Sequence, residues 1–198
     1  MAILVMFEAK GVGRAEYEAS NDALGITGED DAPDGLITHS AALTDDGVLV
    51  VDVWESREKL EVFFNDRLRA ALESAGIPIS DPTILPVHNV IQQGGGTTAG
   101  TMVVIDMAGL TTDTYDRMAA SMDAHGSELR DHPAVQHVAA VTDDGLLVVD
   151  VWESPEAFGA FAESQIGPAA EAAGVTAPIE PKLLPAIGRL RGRMPVAG

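Results

Sequence analysis

Two stretches of the chain hold residue types that can move a proton. Thr44 to Ser56 reads TDDGVLVVDVWES and Thr142 to Ser154 reads TDDGLLVVDVWES, so each sets an aspartate, Asp52 or Asp150, two residues before a tryptophan, Trp54 or Trp152. A histidine recurs at an equivalent place upstream, His39 in LITHSAAL and His137 in VQHVAAV. An imidazole with its ordinary pKa of about 6.5 can take or give a proton at neutral pH, an adjacent carboxylate can fix its tautomer, and indole supplies a flat wall for a planar ligand. The catalytic candidates are therefore His39 as base with Asp52 as its orienting partner, and His137 with Asp150 as a second set or a relic. Trp54 and Trp152 are the candidate substrate-binding walls. The rival expectation is that each His and Asp, on neighbouring strands, only satisfy one another across the interface between the two repeats.

The elements that must position these groups are written twice. Val5 matches Val103, Gly11 matches Gly109, Tyr17 matches Tyr115, and Pro82, Leu85 and Pro86 match Pro181, Leu184 and Pro185. The chain reads as a tandem duplication: a first repeat over 1–92, a Gly/Thr linker over 93–100, a second repeat over 101–191 and a tail over 192–198. Within one copy, AILVMFEA is a strand, GRAEYEASNDAL a helix, GLITHSAAL a strand and VLVVDVWES the strongest strand. TDDG is a hairpin turn in which Asp-Gly tolerates positive φ. Ser56 caps a second helix that Gly76 ends, and PTILPVHNVI is a last strand. Gly167-Pro168 is expected to break or restart the last helix of the second copy, where the first copy has Arg69-Ala70. The order βαββαβ predicts a ferredoxin-like four-stranded sheet with both helices on one face, and two such sheets packed open face to open face. The fold class is α+β.

Strand parity then assigns faces. The strand VLVVDVWES splits into Leu49, Val51 and Val53 on one side and Val48, Val50, Asp52 and Trp54 on the other. The wholly aliphatic set is expected to face the helices, which puts Asp52 and Trp54 in the space between the sheets. The same reading adds Glu8 and His88 to the first cavity and Asp106 to the second as substrate-binding candidates. Tyr17 and Tyr115, in the first helix of each copy, are read as helix–sheet packing.

The pattern D-V-W-E-S-x-E-x-(Leu/Phe)-x-x-Phe after a hairpin, in a βαββαβ unit of this length, resembles the dimeric α+β barrel superfamily, and most closely its antibiotic-biosynthesis-monooxygenase-like (ABM-like) domains. The resemblance covers nearly the whole chain as two fused copies. It implies an intramolecular dimeric α+β barrel and, as function, cofactor-independent monooxygenase or proton-transfer chemistry on a small aromatic or polyketide-like molecule, with no cofactor. Haem-degrading relatives carry a histidine in the helix after the tryptophan strand, where this chain has Phe63 and Phe161. The alternatives left open are a non-catalytic ligand-binding or structural barrel, and haem binding.

Composition narrows the partners. With 31 acidic against 12 basic residues the net charge is −19, which repels nucleic acid and anionic lipid. No nucleic-acid or membrane partner is expected, and no apolar run reaches the roughly 20 residues that span a bilayer. The chain lacks cysteine, which removes thiolate nucleophiles and cysteine-ligated metals and fits a reducing cytoplasm. No metal site is expected, since the nearest histidines, His132 and His137, lack the spacing of a helical ligand pair. The molecule is expected as a monomeric pseudo-dimer or a homodimer of fused repeats.

Overall fold

The computed structural model describes residues 1–92, 100–122 and 134–192, so positions 93–99 of the expected 93–100 linker, His132, and positions 193–198 of the expected 192–198 tail lie outside the described residues. The chain divides into two compact units, 1–86 with 185–198, and 87–184. Each is an antiparallel sheet carrying helices.

In the first unit the strands are β1 (Ile3–Lys10), β2 (Leu36–Leu43) and β3 (Gly47–Trp54), with the opening of β4 (Thr83–Gln92) and the close of β8 (Lys182–Arg191). Their hydrogen-bonded order is β4-β1-β3-β2-β8. Residues 83–86 of β4 pair β1, and residues 186–191 of β8 pair β2. The helices are α1 (Arg14–Leu24), α2 (Arg57–Phe63) and α3 (Arg69–Ser74). The second unit repeats this with β5 (Thr101–Ala108), α4 (Thr112–Ser121), β6 (Gln136–Val141), β7 (Gly145–Trp152), α5 (Pro155–Phe161) and α6 (Gly167–Ala172). Its strand order is β8-β5-β7-β6-β4, and Val87 onward of β4 pairs β6. The last strand of each repeat thus starts in one unit and ends in the other. Residues after Pro86 belong by sequence to the first repeat and by structure to the second unit.

The local rules for helix ends hold. Ser56 accepts a hydrogen bond from the Lys59 amide at 3.4 Å and Ser154 from that of Ala157 at 3.2 Å, which fixes where α2 and α5 begin. Gly25 and Gly76 adopt left-handed φ of 66° and 71° just past α1 and α3. The Gly167-Pro168 expectation is overturned. A π-helical turn at 162–166 joins α5 to α6 without interruption, and Gly167-Pro168 directly follows that turn, where the spacing of the backbone hydrogen bonds changes. The first copy carries the same π turn at 64–68 with no proline, so the distortion belongs to the repeat.

The TDDG turns correct a second expectation. Gly47 and Gly145 do not have positive φ. A Cβ on Gly47 would lie 2.2 Å from the Ala9 carbonyl oxygen, and one on Gly145 would lie 2.3 Å from that of Met107. These glycines let β3 and β7 close against the ends of β1 and β5. Gly145→Ala is expected to cost about 1–3 kcal/mol through this overpacking, read as a lower urea midpoint with an unchanged m-value.

The strand faces also differ from the expectation. Trp54 packs on Phe63 of α2 with ring centroids 5.3 Å apart, and Val48 and Val50 pack with Tyr17, Leu72 and Ala75 of the helices. The face bearing Asp52 and Trp54 is the helix-covered one. Leu49, Val51 and Val53 point to the opposite face, where they are equally buried. Parity separated the two sets correctly, but with both faces of the strand buried the aliphatic set did not identify the helix side.

Candidate functional site

In the first unit β2 and β3 place His39 directly opposite Asp52. His39 Nδ1 lies 2.7 Å from Asp52 Oδ1, and Trp54 Nε1 donates to Asp52 Oδ2 at 3.4 Å. The other imidazole nitrogen, Nε2, lies 2.8 Å from the Tyr17 hydroxyl on α1. The second unit repeats the chain: His137 Nδ1 to Asp150 Oδ1 at 2.7 Å, Trp152 Nε1 to Asp150 Oδ2 at 3.4 Å, and His137 Nε2 to the Tyr115 hydroxyl at 2.6 Å. Each unit therefore holds a continuous phenol–imidazole–carboxylate relay with an indole on its far end.

Burial makes these groups matter. Asp52 and Asp150 are 6% and 4% exposed, and a carboxylate in such a place is tolerated because it is hydrogen-bonded from two sides. A carboxylate at Nδ1 holds a proton there, so in the neutral relay Nε2 accepts from the tyrosine O–H. Burial works against a charged His39, but the Tyr17 oxygen and the Asp52 carboxylate outweigh it and raise the His39 pKa from 6.5 to about 10. Desolvation pushes the Tyr115 phenol up to about 12, opposed by a hydrogen bond from Asn89.

The structure brings His39, Asp52 and Trp54 together, and likewise His137, Asp150 and Trp152. It does not bring Glu8, Asp106 or His88 to the places expected of them. Glu8 pairs across the strands with Leu49, and Asp106 with Leu147, on the face away from the helices. Both are exposed, and Glu8 lines a groove of about 490 Å³ with Met6, Lys10, Pro78, Ser80, Asp81 and Thr83. His88 is in the second unit, not beside His39, because β4 has crossed by that point. There its Nε2 lies 2.7 Å from Asp116 Oδ1, and its ring meets that of Tyr115 edge-on.

Tyr17 and Tyr115 pack between helix and sheet as expected, and what sequence reasoning missed is the hydrogen bond from each hydroxyl to a histidine. The available signal was their recurrence in both copies as phenols on an otherwise polar helix, since a buried tyrosine hydroxyl needs a partner. Phe63 and Phe161, where haem-degrading relatives carry histidine, pack on Trp54 and Trp152 with centroids 5.3 Å apart in each case. Among the described residues no three His, Asp or Glu side chains gather as for a metal ion, and no helix is long and apolar enough to cross a membrane.

No family model matches the sequence, and no curated protein matches it. Solved structures do. A Lactobacillus acidophilus protein provisionally described as a monooxygenase superposes with a TM-score of 0.68 at 9% identity over 96% of each chain. A Fusobacterium nucleatum protein with the same provisional description gives 0.65 at 7% identity over 96% of this chain and 94% of its own. A major regulator of staphylococcal pathogenesis gives 0.52 at 11% identity over 93% and 98%. These likenesses carry the architecture and not the chemistry: the chain shares with these structures an α+β fold of antiparallel sheets carrying helices.

Proposed function

We propose that the protein is a small-molecule enzyme of the ABM-like type that transfers protons on a phenolic or enolic, polyketide-like substrate. The observation that carries this reading is the Tyr–His–Asp relay, present with the same connectivity in both units. Both nitrogens of His39 and of His137 are engaged, so the imidazole serves as the middle of the relay. Tyr17 or Tyr115 is then the group that meets the substrate. The phenol passes its proton to Nε2, the carboxylate at Nδ1 balances the imidazolium, and the phenolate oxygen takes a proton from an acidic O–H or C–H of the substrate. The substrate anion is the product of this step, ready for protonation at another atom or for attack on dioxygen where that is supplied. The Trp54 or Trp152 indole holds the carboxylate from below, in place of the stacking wall expected for it.

Burial favours a second reading, in which each relay is a clasp between the first helix and the sheet and does no chemistry, since Tyr17 and Tyr115 are only 6% and 8% exposed. Hydrogen–deuterium exchange at the acidic methylene of anthrone under nitrogen separates the two. The Tyr17→Phe/Tyr115→Phe double variant is expected to lose at least about 100-fold of the catalysed rate while keeping its far-UV circular dichroism. Full activity in that folded variant rejects the relay as the catalytic device.

A further inference from the structure

The two relays differ at one point, where β4 and β8 pass their tyrosines. Aligning Pro86 with Pro185 sets His88 and Asn89 of the first repeat against Ile187 and Gly188 of the second. Both pairs sit at a β-bulge. Val87 and Asn89 oppose Ala140 and Ala139, which leaves His88 as the extra residue, and Gly188 and Ala186 oppose Ala41 and Ala42, which leaves Ile187. A bulge re-aims the side chains at and beside it. In the second unit it brings Asn89 Nδ2 to 3.0 Å from the Tyr115 hydroxyl, with the exposed His88–Asp116 pair next to the same ring. In the first unit the matching residue is glycine, and a Cβ there would lie 2.0 Å from the Tyr17 oxygen. The first phenol sits against bare backbone. The second is held by a side-chain donor.

This difference has a chemical consequence. Tyr115 donates its proton to His137 while accepting from Asn89, so when the proton moves to the imidazole the Asn89 hydrogen bond stays and strengthens on the phenolate. Tyr17 has no amide at this position to do the same. Resting on the relay reading above, we propose that the second unit is the working proton-transfer site and that Asn89 is its positioning residue, holding the Tyr115 oxygen in line with His137 and stabilising its anion. The first unit's relay then serves as a clasp, with glycine where the donor would stand. The charged and titratable groups around Tyr115 are His137, Asp150, Asp116 and His88; those around Tyr17 are His39 and Asp52.

The chain has only two tyrosines, so each phenol can be observed alone. Both are replaced biosynthetically with 3,5-difluorotyrosine, whose phenol is more acidic, and fluorine NMR follows ionisation in the Tyr17→Phe and Tyr115→Phe backgrounds. Asn89→Gly, which installs the residue of the other copy, is expected to raise the pKa of the residue-115 phenol by about one unit, a tenfold loss of acidity, and to leave the residue-17 phenol unmoved. Asn89→Ser, which keeps a donor, is expected to recover part of the shift. An unmoved residue-115 phenol in a folded Asn89→Gly protein overturns the assignment.

Anthrone exchange gives the second arm: Tyr115→Phe abolishes it, Asn89→Gly lowers it about tenfold, and Tyr17→Phe leaves most of it. The reverse, loss with Tyr17→Phe and retention with Tyr115→Phe, overturns this inference while the relay reading stands. Retention in both, and in the double variant, removes the relay reading itself. If the wild type exchanges no anthrone, the fluorine titration alone decides the role of Asn89.

Discussion

Asp150→Ala is expected to cost about 3–5 kcal/mol of stability, the sum of two stranded buried donors and the cavity left between them. Asp150 is the common acceptor of His137 Nδ1 and Trp152 Nε1, and Trp152 lies in the apolar cluster of the second unit with Val103, Tyr115 and Phe158. Truncation strands an imidazole and an indole donor where water does not replace the lost oxygen, and it opens a cavity beneath the tryptophan. Asp150→Asn keeps the volume and one acceptor, so its cost should be nearer 1–2 kcal/mol, as for a single unmade hydrogen bond. Urea denaturation at neutral pH measures both. A loss below about 1 kcal/mol for Asp150→Ala would mean that the carboxylate is hydrated and the pair worth no more than one on the surface.

The second large effect is a pH dependence centred on His39. Its folded-state pKa is raised from 6.5 to about 10, so the folded protein holds this proton more tightly than the unfolded chain. The stabilisation it gives is complete below about pH 6.5 and is lost as pH rises toward 10, because above 6.5 the unfolded chain is deprotonated and folding must take up a proton from an ever more dilute supply. Against His39→Gln, the wild type is expected to be more stable by several kcal/mol at pH 6, with the difference shrinking by about 1.4 kcal/mol per pH unit through that window. Paired urea titrations of the two proteins from pH 6 to 10 measure it. A difference that is flat with pH would show that His39 is neutral in the folded state, with Asp52 and Tyr17 holding it by ordinary hydrogen bonds. A proton held this tightly also leaves His39 unable to take one from Tyr17 at neutral pH, which agrees with treating the first unit's relay as a clasp.

Much of this molecule was legible in the chain because the duplicated segments repeat local rules. Alternation along VLVVDVWES, the Ser56 and Ser154 caps and the glycines after the helices depend on neighbours a few residues away, and they came out where the sequence put them. His39 against Asp52, and His137 against Asp150, were also readable, since they follow from the pairing of adjacent strands joined by a short turn.

What the sequence left open was decided by packing at long range. A strand buried on both faces carries no mark of which side meets the helices, so the direction of Asp52 and Trp54, and with it the separation of Glu8 and Asp106 from the relay, came only from tertiary contacts. Tyr17 read as packing because its partner, His39, lies on another element. His88 and Asn89 were counted with the first copy because nothing local says that β4 leaves one sheet for the other after Pro86. The sequence by itself determined two βαββαβ copies, each with a histidine facing an aspartate. Which tyrosine, indole and amide complete each site is set by which strand edges and helix faces meet, and that is a property of the folded chain, since the free energy of burying a polar group depends on partners far away in sequence.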